Sequence, residues 1–150
     1  RSLYTKKKKK KKKTTNLTIN TPPPAVCTAK RERTDSPLQA LILLNGVQYV
    51  EAARILGQDL WLHHEGNVEN MIREGCLRCW SREPDDAELK ILMQLWNDQL
   101  QHFTTHLDQA NQLLAIGNRP KDAKLDAAQA AAATVLAQAL LNFDECVVKR

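Results

Sequence analysis

Apolar residues recur every three or four positions through the chain after residue 35, which is the spacing of one face of a helix. The first such face is formed by Leu38, Leu41, Ile42 and Asn45. The pattern resumes over residues 49–60 and ends between His63 and Gly66. Asn45-Gly46 stands between the two runs, either as a tolerated mid-helix glycine or as the point where one helix ends and another begins. We favour a break there.

Two further amphipathic helices are predicted. The shorter one runs from a cap at Asn67 and stops before Pro84. Its apolar face holds Val68, Met71, Ile72, Gly75, Cys76 and Cys79. The longer and most regular one starts at Asp85 and is expected to continue for about six turns, to near Ile116. Its apolar face holds Leu89, Leu92, Met93, Trp96, Leu100, Phe103 and Leu107.

Capping residues mark the helix starts. Ser36-Pro37-Leu38-Gln39 and Asp85-Asp86-Ala87-Glu88 both have the capping-box arrangement, and Asp122 or Asp126 caps an alanine-rich final helix that carries leucines toward its end. No alternating strand pattern of four or more residues follows residue 35. The sequence therefore predicts an all-α fold, an irregular bundle of four or five helices joined by short loops.

Charge divides the chain into two predicted parts. Residues 1–34 carry twelve Lys and Arg against one acidic residue, whereas residues 35–150 carry ten against sixteen. The first part holds a lysine run at 6–13 and prolines at 22–24. We expect a disordered basic and proline-rich leader over 1–34, followed by a helical domain over 35–150. No apolar stretch is long enough for a membrane span, and four cysteines are too few for a disulfide-dense miniprotein.

The lysine run has the charge to bind nucleic acid or another anionic polymer. It contains neither the interleaved aromatic residues nor the arginines that give such binding specificity. A low-complexity lysine tract also arises without selection for a ligand, so specific nucleic-acid binding is not expected.

Cys76-Leu77-Arg78-Cys79 is the most evident chemical motif. Two cysteines at this spacing can reach one zinc ion, and His63-His64 upstream can complete a tetrahedron. In a helix, however, both cysteines lie on the apolar face, where cysteine behaves as a small hydrophobe. Buried thiols are favoured over a disulfide or redox pair and over a metal site, for which Cys76 and Cys79 are weak candidates. Attachment of c-type haem is excluded because Trp80 stands where that motif needs histidine.

No catalytic constellation is recognised along the chain. His102 and His106 have a spacing that can hold a metal, but no glutamate lies between them, and exposed polar histidines are the favoured interpretation. The carboxylates Asp85 and Asp86 are explained by capping. A glycine-rich phosphate loop and a Ser/His/Asp set are not found. Neither a catalytic residue nor a cofactor is therefore predicted within this stretch.

Mixed charges stand immediately before the first predicted helix, over residues 30–35. Positive charge at a helix start opposes the helix dipole unless a carboxylate or another domain neutralises it. One interpretation is a solvated turn in which Glu32 and Asp35 pair locally, and the other is a docking site for an acidic partner. The candidate docking residues are Arg31, Arg33, Thr34, Gln39 and Asn45.

Several stretches occur in the order of a known family pattern. They are residues 1–4, 22–24, 26–41, 44–45, 49–54, 82–84 with Glu88-Leu89, and 139–145. In these stretches the chain resembles the C-terminal part of the planctomycete-type domain of unknown function 1553. The lysine run and the cysteines at 76 and 79 depart from that pattern. The resemblance supplies no established catalytic residue.

The resemblance implies part of a larger, exported bacterial protein that often carries a c-type cytochrome domain upstream. The start at Arg1, without an initiator methionine or an export signal, also leads us to expect a larger protein. We expect an extracytoplasmic, periplasmic structural or interaction module that docks the upstream domains of the same polypeptide. The alternative is part of a redox or polysaccharide-related enzyme whose active site lies mainly upstream, where any haem c would also lie.

Overall fold

The computed structural model of the protein describes residues 37–64, 66–119 and 125–147. The chain divides into two compact units, residues 1–42 and 43–150. In the first unit, only the start of one helix from Pro37 lies within the described residues. The predicted leader, with its lysine run and prolines, and the predicted cap at Ser36 lie outside them.

Seven helices and no strand make up the part of the chain that the structure describes. They are α1 (Pro37–Asn45), α2 (Val47–His63), α3 (Val68–Trp80), α4 (Asp86–Thr105), α5 (Leu107–Leu114), α6 (Ala127–Leu141) and α7 (Asp144–Val147). The all-α prediction is confirmed, and so is the helix break at Asn45-Gly46. None of these helices is both long and apolar enough to cross a lipid bilayer.

The predicted capping interactions are present at each helix start whose capping residue the structure describes. The side chains of Asn67 and Asp126 accept hydrogen bonds from backbone N–H groups in the first turns of α3 and α6. At the start of α4, the Glu88 carboxylate accepts from the Asp85 backbone N–H at 2.9 Å and completes the capping box. The alanine-rich helix α6 is thus capped by Asp126, while Asp122 lies outside the described residues.

The prediction of one long helix from Asp85 to near Ile116 is wrong. The helix is interrupted at His106, whose φ of −125° and ψ of 61° are not helical. The hydroxyl groups of Thr104 and Thr105 donate to carbonyl oxygens of the preceding turn, a local bond that competes with the helical ladder and bends it. The chain therefore changes direction between α4 and α5.

This change of direction decides which residues of α5 become buried. Ala110 and Leu114 enter the core, while Leu107, predicted to lie on the apolar face, is exposed. A similar correction applies to α1, where Leu41 and Asn45 of the predicted apolar face are exposed. Because α1 is apolar on nearly all sides, its sequence pattern does not select the side that packs.

The core of residues 43–150 is arranged around α6, which packs against α2, α3, α4 and α5. Its buried alanines allow close approach, and the tightest crossing is with α2. A Cβ atom placed on Gly57 would lie only 2.4 Å from the carbonyl oxygen of Ala133. The larger core side chains are Leu60, Met71, Ile72, Trp96, Phe103, Leu136 and Leu140.

Candidate functional site

An open apolar groove lies where the α1–α2 junction meets the end of α6. It is lined by Leu43, Tyr49, Ala52, Ala53, Gln138, Leu141, Asn142 and Cys146. The cavity volume is about 290 Å³, close to the lower limit of roughly 300 Å³ for small-ligand pockets. No acidic or basic side chain is among these lining residues. The groove therefore suits apolar side chains better than a charged substrate.

Between the lining residues Leu43 and Tyr49 the chain carries two exposed apolar side chains, Leu44 and Val47, which are 41% and 58% exposed. We call these two residues the apolar edge. The edge is fixed to the groove wall, because the side-chain amide of Gln138 donates a 3.2 Å hydrogen bond to the carbonyl oxygen of Leu44. Asn142 adds a buried side-chain oxygen that has no hydrogen-bond partner among the described residues.

A buried polar cluster in α2 holds the loop that follows α5. Arg54 is 1% exposed, and its Nη2 donates a 2.6 Å hydrogen bond to the carbonyl oxygen of Arg119. Glu51 Oε1 accepts two 2.8 Å hydrogen bonds, from the backbone N–H groups of Asn118 and Arg119. These two bonds, first that from Arg119, lower the pKa of Glu51. The pair ties α2 to the main chain of the loop.

The same cluster contains donors that no described residue satisfies. They are Nε and Nη1 of Arg54 and Nε2 of Gln58, one turn further along α2. Buried donors without acceptors carry a desolvation cost, so they favour contact with a carboxylate or carbonyl oxygen. The arrangement can bind such an oxygen, but a guanidinium group stays protonated and cannot act as a base.

A second charged cluster joins the end of α3, the start of α4 and α7. Arg82 donates two parallel 2.8 Å hydrogen bonds to the Glu88 carboxylate and one of 2.7 Å to Glu145. Its guanidinium group also lies 5.2 Å from the ring centroid of Trp80. Arg82, followed by the backbone N–H of Asp85, lowers the pKa of Glu88 to about 2. Arg82 is thus the common partner of three segments.

The three described cysteines, Cys76, Cys79 and Cys146, are all free thiols. Cys76 is fully buried, whereas the other two are half-buried. Burial raises the pKa values of Cys76 and Cys79, each to about 11. The sequence motif groups Cys79 with Cys76, but the thiol that, after burial, contributes most to raising the pKa of Cys79 is Cys146, far along the chain.

The histidines and cysteines considered as metal ligands lie on, or directly after, α2, α3 and α4. Among the residues that the structure describes, no three His, Cys, Asp or Glu side chains form a group that could hold a metal ion. His64 pairs with Glu74. His102 and His106 are exposed, and their rings stack with centroids 4.7 Å apart.

The predicted docking residues are only partly described. Arg31, Arg33 and Thr34 lie outside the described residues, as does the side chain of Gln39. Asn45 is exposed at the end of α1, beside the apolar edge. The docking prediction therefore stays a prediction.

Sequence reasoning did not identify Arg54, Arg82 or Cys146 as important residues. Arg54 was visible only as part of the stretch 49–54, and nothing in its neighbours indicated burial of the charge. Glu88 belongs to the capping box and Arg82 precedes that box by three residues, and this closeness in sequence is the sign that the two side chains can meet. The approach of Cys146 to Cys79 has no local signal, since it depends on how α7 packs.

Comparison with known proteins gives one match. A family model described as a protein of unknown function (DUF1553) matches residues 1–96, which include α1, α2, α3 and half of α4. No curated protein and no solved structure matches the chain.

Proposed function

The chain belongs to the DUF1553 family of proteins of unknown function, and we propose that it is a helical interaction module of a larger polypeptide. In this proposal the apolar groove and its edge receive an apolar segment from the upstream domains of the same polypeptide. The proposal rests on one observation above all, the exposure of Leu44 and Val47 beside an open groove without charged lining residues.

The chemistry of the groove supports binding of a peptide segment. Singly exposed leucines are common on protein surfaces, but apolar residues next to a concave apolar surface are typical of an interaction site. The unpartnered oxygen of Asn142 and the amide of Gln138 supply hydrogen-bonding groups within the same groove. An extended or helical segment with one or two apolar side chains fits this composition.

The residues that carry the family resemblance support a structural role. Arg82 and Glu88 come from one such stretch and Glu145 from another, and Arg82 donates hydrogen bonds to both carboxylates. Glu51 and Arg54 come from a third stretch, and they hold the loop after α5. Each of these side chains connects elements of the fold, as residues with a structural role do.

The finer part of the proposal concerns location and context. By family resemblance, the whole protein is an exported bacterial protein of the planctomycete type, this module is periplasmic, and any c-type haem is bound upstream of it. Export signals and haem-attachment motifs are readable in the encoding gene, so its sequence upstream of Arg1 tests this part directly.

The alternative is a module that completes the active site of a redox or polysaccharide-related enzyme. Such a module is expected to present ionisable groups to its cleft. The groove lining has the ionisable side chains of Tyr49 and Cys146 but no Asp, Glu, His, Lys or Arg, the usual acid–base groups of such enzymes, which supports the interaction module instead.

Site-specific photo-crosslinking in the full polypeptide tests the docking proposal. A benzophenone amino acid replaces Val47 in one variant and Ile91 in another, because Ile91 is similarly exposed, at 66%, but lies on α4. We expect crosslinks from position 47 to upstream segments and few or none from position 91. Equal crosslinking from both positions, or none from position 47, contradicts the proposal.

A charge introduced at the apolar edge provides a second test. Val47→Glu places an acid in the first turn of α2, which is favourable for that helix, so the module itself is expected to stay folded. The variant should bind the separately produced upstream region at least tenfold more weakly, while Ile91→Glu binds as wild type does. Unchanged binding of Val47→Glu contradicts docking at this edge.

A further inference from the structure

The short helix α7 lies against the end of α3 through several specific contacts. The ring of Trp80 packs on Phe143 with centroids 4.4 Å apart, and its indole N–H donates a 3.1 Å hydrogen bond to the carbonyl oxygen of Leu140. Arg82 binds Glu145 at 2.7 Å. These contacts hold the chain around residues 140–146 beside residues 79–82.

Cys79 and Cys146 meet within this set of contacts. Cys79 directly precedes Trp80 and Cys146 directly follows Glu145, and each thiol lies near enough to shift the pKa of the other. Both are free and half-buried, and Cys146 also lines the open groove. Cys76 is fully buried in the core and does not line it. A small reagent that enters the groove therefore reaches Cys146 first.

We propose that Cys79 and Cys146 are an oxidisable dithiol whose disulfide fastens α7 to α3. Nothing in the local sequence motif predicts this pair, because the two cysteines are far apart in the chain. The flanking contacts, which bring Trp80 to Phe143 and Arg82 to Glu145, hold the two segments side by side without any bond between the thiols.

The oxidant is a small-molecule disulfide of the glutathione class. The thiolate of Cys146 attacks one sulfur of that disulfide, a mixed disulfide forms, and one molecule of the small thiol leaves. The thiolate of Cys79 then attacks the Cys146 sulfur, and the second small thiol leaves. In total, the two protein thiols lose two electrons and two protons, and the small disulfide gains them as two thiols.

The order of attack follows from the surroundings of the two sulfurs. Burial raises the pKa of Cys146, but the hydrogen bond from Cys79 opposes that rise. Burial and the Cys146 sulfur both raise the pKa of Cys79, to about 11. Because the thiolate is the attacking form, we expect Cys146 to react first and the overall reaction to accelerate as pH rises from 7 to 9.

Oxidation of the full purified chain by glutathione disulfide tests this inference. We expect the number of free thiols to fall from four to two and a proteolytic digest to contain the linked peptides of residues 79 and 146. The disulfide closes a long loop, so the oxidised protein should melt roughly 10 °C above the reduced one. Addition of a reducing dithiol should reverse both changes.

Two serine variants and one control make the result decisive. Cys146→Ser and Cys79→Ser should each abolish the linked peptide and the difference in melting temperature, whereas Cys27→Ser keeps both. Far-ultraviolet circular dichroism checks whether each variant is helical. If Cys79→Ser does not fold, the result for Cys146→Ser alone decides the test. A link between residues 76 and 79, a link to residue 27, a dimer joined by disulfides, or four thiols unchanged after oxidation would each overturn the inference.

Discussion

The buried guanidinium group of Arg54 donates a 2.6 Å hydrogen bond to the carbonyl oxygen of Arg119, 65 residues further along the chain. The loop after α5 is therefore held by a charged group that water does not reach. Since the accepting atom belongs to the main chain, the side chain at position 119 takes no part in this bond. This separation allows the contribution of Arg54 to be measured cleanly.

Replacement of Arg54 is expected to destabilise the protein strongly. Arg54→Ala leaves a cavity and an unpaired carbonyl, and it should lower the free energy of unfolding by about 3 kcal/mol or more. Arg54→Met should cost about half as much, because it fills the space and removes two buried N–H donors that lack partners among the described residues. Chemical denaturation followed by circular dichroism measures both values.

Arg119→Ala is the matched control for the Arg54 variants. It removes an exposed side chain and keeps the carbonyl oxygen, so its effect should stay within about 0.5 kcal/mol. An Arg54→Ala variant as stable as Arg119→Ala would show that the buried guanidinium contributes nothing to holding the loop.

The pairing of Glu88 with Arg82 predicts a loss of stability in acid. The pKa of Glu88 in the folded protein is about 2, below its ordinary value of 4.5. A carboxylate whose pKa is lowered by folding stabilises the protein above its unfolded-state pKa, and this contribution is lost as pH falls from about 5 toward 2. Because the Glu88 side chain is 26% exposed, solvent screening reduces the effect to about 1 kcal/mol.

Variants at both ends of this ion pair test the assignment. Glu88→Gln should unfold with a shallower dependence on pH between 5 and 2 than the wild type. Arg82→Met should also weaken this pH dependence, and the effect of the double variant should be smaller than the sum of the two single effects, because the two changes share the Arg82–Glu88 pair. If the free energy of unfolding fell as steeply between pH 5 and 2 in Glu88→Gln as in the wild type, the role given to this pair would be contradicted.

Two helical glycines are expected to respond differently to alanine. At Gly57 a Cβ would lie 2.4 Å from the Ala133 carbonyl oxygen, and backbone cannot move aside without separating α2 from α6. At Gly75 the nearest atom is Leu140 Cδ1 at 2.7 Å, the end of a flexible side chain. Gly57→Ala should therefore cost about 3 kcal/mol, whereas Gly75→Ala should stay within about 1 kcal/mol of wild type.

Thermal unfolding of both alanine variants provides the measurement. Alanine favours helix over glycine at both positions by a similar amount, so the difference between the two variants reports the steric contact alone. Equal melting temperatures would mean that the α2–α6 crossing is looser than the distance at Gly57 indicates.

Helix starts were predictable from the sequence because capping is local. Asn67, Asp85 and Asp126 each bond to N–H groups within the next three residues, and the cap at Asn67, the capping box at Asp85 and Glu88, and the helix break after Asn45 are all readable without tertiary information. The same locality explains why the all-α class was predictable from apolar spacing.

The features that the sequence did not indicate depend on packing between distant segments. The continuous apolar pattern from Leu89 to Leu107 conceals the interruption at His106, because nothing in it shows that Ala110 and Leu114 are the residues of α5 that enter the core. The proximity of Cys79 and Cys146 likewise depends on the packing of α7 against α3. A pattern along one helix contains no information on which partner that helix will find.

The central place of α6 has a consequence for how the protein is made. A ribosome releases this helix after α2, α3, α4 and α5, all of which pack against it. The earlier helices leave the exit tunnel with their apolar faces exposed to solvent. Those faces become buried only after α6 has been synthesised. A chain truncated before Ala127 should therefore bind chaperones and should not fold into a smaller native-like domain.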